Sequence, residues 1–327
     1  MMTLLSSQPL VWLGRAAALL ALASTAAAQT YPSKPVRLVI PYAAGGAVDI
    51  MGRMIGKEMQ EANGQPYLVE NKGGAGGGIA ATEVARSAPD GYTLFIGATG
   101  PIAIVPALEG TGAGFNPVKD FAPISIIATT PYVLVVNNDL PVKSVAELIA
   151  YAKANPGKVN YASSGTGGPD HLAGEQFKAA AGLSAVHIPY KGTGPALADL
   201  MGGQVQYLFG SPLPAMPLVD AGKVRLIAVT GKERSKAMPS IPTVAETLPG
   251  FEVVPWYGFF APAGTPAPIV AKIAADLQRI MARDEMQQAL RKRGIDPATN
   301  TPAEFTGFVR DEVGRWAAVA KNAGLKQ

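Results

Sequence analysis

Two short glycine-rich runs have the residue types and spacing to hold an anion. PYAAGGAVDI (Pro41 to Ile50) follows an apolar run, and YASSGTGGPDH (Tyr161 to His171) precedes an amphipathic one. Each reads as a strand running into a helix N-terminus. Small residues there let backbone amides come close to a ligand, and the helix dipole favours a negative group at that end. One such turn is weak evidence, because strand-to-helix turns also need glycine for steric reasons. Two of them, about 120 residues apart with a βα pattern between, suggest facing jaws.

Other chemistry finds less support. Only His171 and His187 could serve as a general base, and no Gly-x-Ser-x-Gly elbow is present. His187 lies in VHIPY, which reads as a buried strand with a core histidine. His171 and Glu175 stand four apart on one helical face beside Asp170, but two well-placed ligands seldom make a metal site. GAGGGIAA matches the dinucleotide pattern at Gly76, Gly78 and Ala81. The nearest acidic residue, Asp90, falls at about half the distance that such a site needs, which leaves a tight turn with close helix packing. The expectation is a binding protein with no catalytic residues, no metal and no cofactor.

The elements that position the two turns are short β-branched runs alternating with helical ones. VRLVI (Val36 to Ile40), YLVE (Tyr67 to Glu70), YTLFIG (Tyr92 to Gly97), VLVV (Val133 to Val136) and VRLIAV (Val224 to Val229) read as strands of parallel sheets covered by helices, the α/β class. Two long, extended, proline-interrupted stretches break the rhythm, Phe121 to Val136 and Phe251 to Gly264. Both read as crossings between domains, which gives domain 1 as 31–129 plus 253–327 and domain 2 as 130–252, joined by a two-strand hinge. Two helices then return to domain 1. Thr265 to Asp284 places Ile269, Ile273, Leu277 and Ile280 at helical spacing, with Thr265 as N-cap and Pro266 at the first helical position. Thr301 to Gly324 starts with a Thr301/Glu304 capping box. Phe308 and Trp316 on it read as core residues.

At the N-terminus, Arg15, the apolar run Ala16 to Ser24 and the small residues Ala26 to Ala28 make the pattern of a secretory signal peptide over 1–28. The run is too short for a membrane anchor. About 300 residues remain, more than one core normally holds. Lys and Arg number 28 against 24 Asp and Glu, and removal of Arg15 lowers the net charge from +4 to +3. That charge is dispersed, which argues against a nucleic-acid partner. Cysteine is absent, so an exported chain must draw its stability from burial rather than disulfides.

The runs YPSKPVRLVIPYAAGGAVDI, VENKGGAGGGIAA, SAPDGYTLFIG, PVKDFAPIS, SVAELIAYAKANPGKVNYASSGTGGPDHLAGEQFK, HIPYKGTGPALADLMGGQV, AGKVRLIAVT and PWYGFFAPAGTP resemble, over essentially all of residues 31–325, the Bug-type receptors of tripartite tricarboxylate transporters. The resemblance implies a two-domain periplasmic binding protein, type II-like, each domain a mostly parallel sheet flanked by helices, with a Venus-flytrap hinge. It implies a monomer that binds a small organic carboxylate between the domains and delivers it to membrane transporter subunits. Carried over by position, Tyr42, Ala44, Gly45, Gly46 and Asp49 form the first loop, and Ser163, Ser164, Thr166, Gly167 and Gly168 the second.

For the distal end of the ligand the candidates are Thr99, Thr130, Asp170, Ser211 and Trp256. Thr99 and Thr130 follow strand ends, where sites gather in open α/β sheets. Trp256 lies on the second crossing and admits two readings, packing over a ligand or filling the hinge. Three departures from the family pattern stand out. Ala43-Ala44 replaces a Pro-Pro-like pair, Ala47-Val48 removes a hydroxyl, and Asp170 stands where a neutral residue is common. Asp170 reads either as a helix N-cap or as a carboxylate that binds a cationic ligand atom or excludes a second anion. A carboxylate-sensing receptor that feeds a signalling partner remains the alternative to uptake.

Overall fold

The computed structural model describes residues 31–235 and 238–322, so the signal-peptide segment 1–28 lies outside the described residues. Eleven strands occur in chain order: β1 (Val36–Ile40), β2 (Tyr67–Asn71), β3 (Thr93–Ala98), β4 (Phe121–Thr129), β5 (Val133–Asn137), β6 (Tyr161–Ser163), β7 (His187–Pro189), β8 (Tyr207–Gly210), β9 (Val224–Val229), β10 (Trp256–Pro262) and β11 (Asp296–Pro297) among the described residues. They form a six-stranded sheet in the order β11-β4-β10-β3-β1-β2 and a five-stranded sheet in the order β7-β6-β8-β5-β9.

Helices follow the strands as the alternation requires. After β1 comes α1 (Ala47–Asn63), after β2 α2 (Gly78–Ala85), and after β3 the short α3 (Val105–Glu109). The second sheet carries α4 (Val145–Ala154), α5 (Pro169–Ala181), α6 (Thr193–Met201) and α7 (Pro212–Asp220). The chain ends in α8 (Ala267–Met281), α9 (Asp284–Arg291) and α10 (Pro302–Asn322). In α1 the buried Met51, Ile55 and Met59 recur every four residues, the stripe that seats the helix on its sheet.

Both sheets are mixed rather than mostly parallel. β1 runs parallel to β2 and β3, but β10 is antiparallel to β3 and β4, and β11 to β4. In the second sheet β6 runs parallel to β7 and β8, while β5 is antiparallel to β8 and β9. β5 and β10, each the first strand after a passage between the sheets, are antiparallel to both of their neighbours. Such a strand is delivered by a direct crossing, not by the helical return that makes neighbours parallel.

The chain passes from the first sheet to the second at Thr130–Tyr132 and returns through the stretch from Thr230 to Pro255. The two passages are tied to each other. Thr130 N–H donates to Pro255 O (3.0 Å), Tyr132 N–H to Thr230 Oγ1 (2.7 Å), and Thr230 N–H to Tyr132 O (2.8 Å). Each sheet has its own aromatic core. Phe95, Phe121, Phe260 and Phe305 interlock under the first, and Tyr161, Phe177, Tyr207 and Phe209 under the second.

The starts of the C-terminal helices divide. The capping box of α10 forms, with Glu304 N–H on Thr301 Oγ1 (3.3 Å) and Thr301 N–H on Glu304 Oε2 (2.8 Å). Thr265 does not cap α8: Pro266 occupies the N-cap position, and the Thr265 hydroxyl donates back to Pro262 O (2.8 Å).

Candidate functional site

The first glycine run forms the β1–α1 turn. Gly46 is the N-cap of α1 in extended conformation, with no side chain capping it. The amides that begin α1 therefore have no acceptor within the helix, which is the arrangement that attracts an anion. Asp49, in the first turn, is turned aside and accepts from Gly45 N–H (3.0 Å) and Arg53 Nε (3.0 Å). Burial raises its pKa, but the hydrogen bonds from Arg53, Gly45 and Asn71 outweigh that and hold the carboxyl below its usual range.

Opposite this turn stand the β7–α6 loop, Tyr190 to Gly192, and the first turn of α6, which sequence reasoning did not single out. Ala43 N–H donates to Lys191 O (2.7 Å). Gly192 is the N-cap of α6, again without a capping side chain. The approach is so close that a Cβ on Gly194 would lie 2.6 Å from Ala44 O. The signal was present in the sequence: YKGTGP is a third strand, glycine and helix start.

The second glycine run has the expected shape, but four of its amides are already taken. Ser164 N–H donates to Asp170 Oδ2, Gly165 N–H to Ser163 Oγ (3.1 Å), Gly167 N–H to His171 Nδ1 (3.2 Å) and Gly168 N–H to Gly165 O (3.2 Å). Asp170 is not the N-cap of α5, a position held by Gly168. From the first turn its carboxylate reaches back over the loop, accepting also from His171 N–H (3.0 Å). Thr166 turns its carbonyl toward Gly76, where no side chain would fit. Beneath the loop the His171 and His187 rings stack at 4.1 Å, and His187 Nε2 lies 2.5 Å from Ser163 Oγ. Burial lowers both imidazole pKa values, that of His187 to about 4.

A buried cavity of about 20 Å³ lies where these parts meet. Gly46, Ala47 and Val48 line it from α1, Thr193 from α6, and Ser164 and Pro169 from the second run. Tyr42, Tyr132 and Tyr257 add three phenols. Burial raises all three pKa values, Tyr42 and Tyr132 well above the usual value and Tyr257 to about 12. Asp170, 1% exposed, is close enough to contribute to each of these shifts.

Of the distal candidates, Ser211 lines this cavity while also capping α7 through Leu213 N–H (3.4 Å). Three others are spent elsewhere. Thr99 Oγ1 accepts from Trp256 N–H (2.9 Å), and Thr130 Oγ1 donates to Gly294 O (2.8 Å), so both hydroxyls clamp backbone. Trp256 packs against Phe305 and Phe308, and its indole N–H donates to Glu312 Oε2 (2.8 Å). It belongs to the core of the first sheet. Successive residues on a strand face opposite ways, so Tyr257, one place further, is the residue that β10 turns into the cavity. Tyr132 likewise went unread, because nothing local marks it as more than a hinge residue.

A family model described as "Tripartite tricarboxylate transporter family receptor" matches residues 51–325. The chain is also 34% identical to Protein BugT of Bordetella pertussis over 307 residues, 93% of this chain and 94% of that one. The chain belongs to the receptors of the tripartite tricarboxylate transporter family. Solved structures agree. That of Rhodopseudomonas palustris MatC with bound malate superposes with a TM-score of 0.82 at 35% identity, covering 88% of this chain and 99% of that chain. That of R. palustris Rpa4515 with adipate gives 0.86 at 37%, covering 90% and 98%. This receptor is thus periplasmic, with the two-domain α/β fold of type II periplasmic binding proteins, and its relatives are solute-binding proteins. Among the described residues no helix is long and apolar enough to cross a membrane, and no cluster of three His, Asp or Glu could hold a metal.

Proposed function

We propose that this receptor takes a small organic carboxylate into the cavity between its two sheets and presents it, without chemical change, to membrane transporter subunits. The observation that carries the reading is that two helix N-termini without a capping side chain, with Gly46 and Gly192 as N-caps, present Gly46 to Val48 and Thr193 to one buried cavity with no Lys or Arg in its lining among the described residues. Amide dipoles aligned in a dry site replace the water around a carboxylate, and hydrogen bonds to a charged acceptor contribute about 1.5–3 kcal/mol each. Malate and adipate in the related structures supply the ligand class.

In this reading the carboxylate sits against Gly46, Ala47 and Val48 on one side and Thr193 on the other, with Tyr42, Ser164 and Ser211 around it. The cavity, at about 20 Å³, has room for about one water molecule, whereas organic-ligand pockets start at about 300 Å³. Entry therefore requires the sheets to part about the tied passages at Thr130–Tyr132 and Thr230–Pro255, with 31–129 plus 253–327 moving against 130–252. Thermal-shift screening against mono- and dicarboxylates tests the reading, since a ligand that binds only the native state raises Tm. Shifts with carboxylates are expected; shifts confined to nucleotides, metals or uncharged solutes would reject it.

A further inference from the structure

The two glycine grips differ in a way that bears on the ligand. At α1 and α6 the N-terminal amides are uncapped, whereas the second run already holds a carboxylate, its own Asp170. That group is 1% exposed and sits behind Ser164 and Pro169, both of which line the cavity. Among the described residues the cavity lining contributes no cationic side chain to offset it. Tyr42, Tyr132, Tyr257 and Ser211 line it instead, with hydroxyl oxygens that can accept hydrogen bonds, Tyr257 already bonding Tyr132 and Ser211, and with three aromatic rings, which favour a cation over an anion.

We propose that the ligand is a zwitterion, with one carboxylate at the N-termini of α1 and α6 and an ammonium group directed toward Asp170 and the tyrosines. The inference rests on the carboxylate reading above. A dicarboxylate would bring a second negative charge toward a buried carboxylate with no cation between them, and like charges in a water-poor site repel strongly. An ammonium reverses the sign of that interaction and donates three hydrogen bonds to acceptors otherwise without a charged partner. Burial pushes the Asp170 carboxyl up to about 6, while the hydrogen bonds that it accepts from Ser164 and His171 favour its charged form.

The test is calorimetric titration of the mature protein at neutral pH with a length series from propionate to hexanoate, each length as the monoacid, the diacid and the ω-amino acid. At the best-fitting length the ω-amino acid should bind at least about tenfold more tightly than the diacid, equivalent to about 1.4 kcal/mol. Asp170→Asn should erase or reverse that ratio. The wild-type ratio decides the matter even if the variant folds poorly. A diacid that binds wild type as tightly as the amino acid, or more so, overturns the zwitterion and leaves the carboxylate reading standing. Failure of every carboxylate in the series to bind overturns both.

Discussion

Under the proposed function, closure of the receptor depends on backbone passing backbone with no side chain between, and Gly194→Ala puts that to the test. The added Cβ would lie 2.6 Å from Ala44 O, well inside the 3.4 Å at which ordinary contact begins, and a backbone carbonyl cannot swing aside as a side-chain tip would. Gly194 does not have positive φ, so alanine fits its own backbone, and in the first turn of α6 it should add a few tenths to about 1 kcal/mol of helix stability. The overlap exists only when the β1–α1 turn and the first turn of α6 meet. Forcing a methyl into a packed contact costs about 1–3 kcal/mol, so carboxylate affinity should fall roughly 5- to 150-fold while the ligand-free Tm holds or rises. Gly73→Ala, whose Cβ would lie 2.7 Å from Lys191 O, should act in the same direction. Gly202→Ala, at the far end of α6 with 3.6 Å to its nearest neighbour, is the control. Calorimetry gives the affinities, and small-angle scattering should show ligand-induced contraction in wild type and Gly202→Ala but not in Gly194→Ala. Wild-type affinity in Gly194→Ala would refute the claim that the ligand is enclosed by this contact.

Trp256→Phe removes the 2.8 Å indole donor from Glu312, a buried carboxylate, and should cost about 2 kcal/mol in denaturant melts without changing ligand affinity; lost affinity at unchanged stability would return the indole to the site. Tyr207→Phe should raise stability by about 1 kcal/mol, because the Tyr207 hydroxyl is buried without a hydrogen-bond partner among the described residues, and a loss would expose a partner. Burial raises Asp170 from 3.8 to about 6 and lowers His187 from 6.5 to about 4, so as pH climbs from 4 to 6 the first contribution to stability falls while the second grows. Thermal melts across that window should therefore rise more steeply with pH in Asp170→Asn and less steeply in His187→Asn than in wild type; coincident profiles would dismiss both assignments.

What the sequence made legible was local. Strand and helix alternation, the β1–α1 turn and the Thr301 capping box each lie within a few consecutive residues, where period and composition are informative. Proline and the missing helical period mark Phe121 to Val136 and Phe251 to Gly264, but most of these stretches are the strands β4, β5 and β10, and the chain changes sheets at Thr130–Tyr132 and over Thr230–Pro255. The direction of these strands was not legible, since antiparallel pairing of β10 with β3 joins residues more than 150 positions apart. The same limit explains the tyrosines. Tyr257 and Trp256 are adjacent and both aromatic, and only the pairing of β10 decides which of them meets the cavity and which meets α10.

The second glycine run shows how a motif can be read correctly for its shape and wrongly for its partner. Its glycines do bring amides to a helix start, but His187, contributed by β7, fixes Ser163, and His171 and Asp170, contributed by α5, take the amides of Gly167 and Ser164. A loop whose donors are satisfied from within is ordered before a ligand arrives, so less conformational freedom is lost on binding than in a loop that must organise around its anion. Under the proposed function the anion is then left to the uncapped helices α1 and α6, held where Ala44 and Gly194 meet, and under the zwitterion proposal selection among organic acids falls to Asp170 and the three tyrosines.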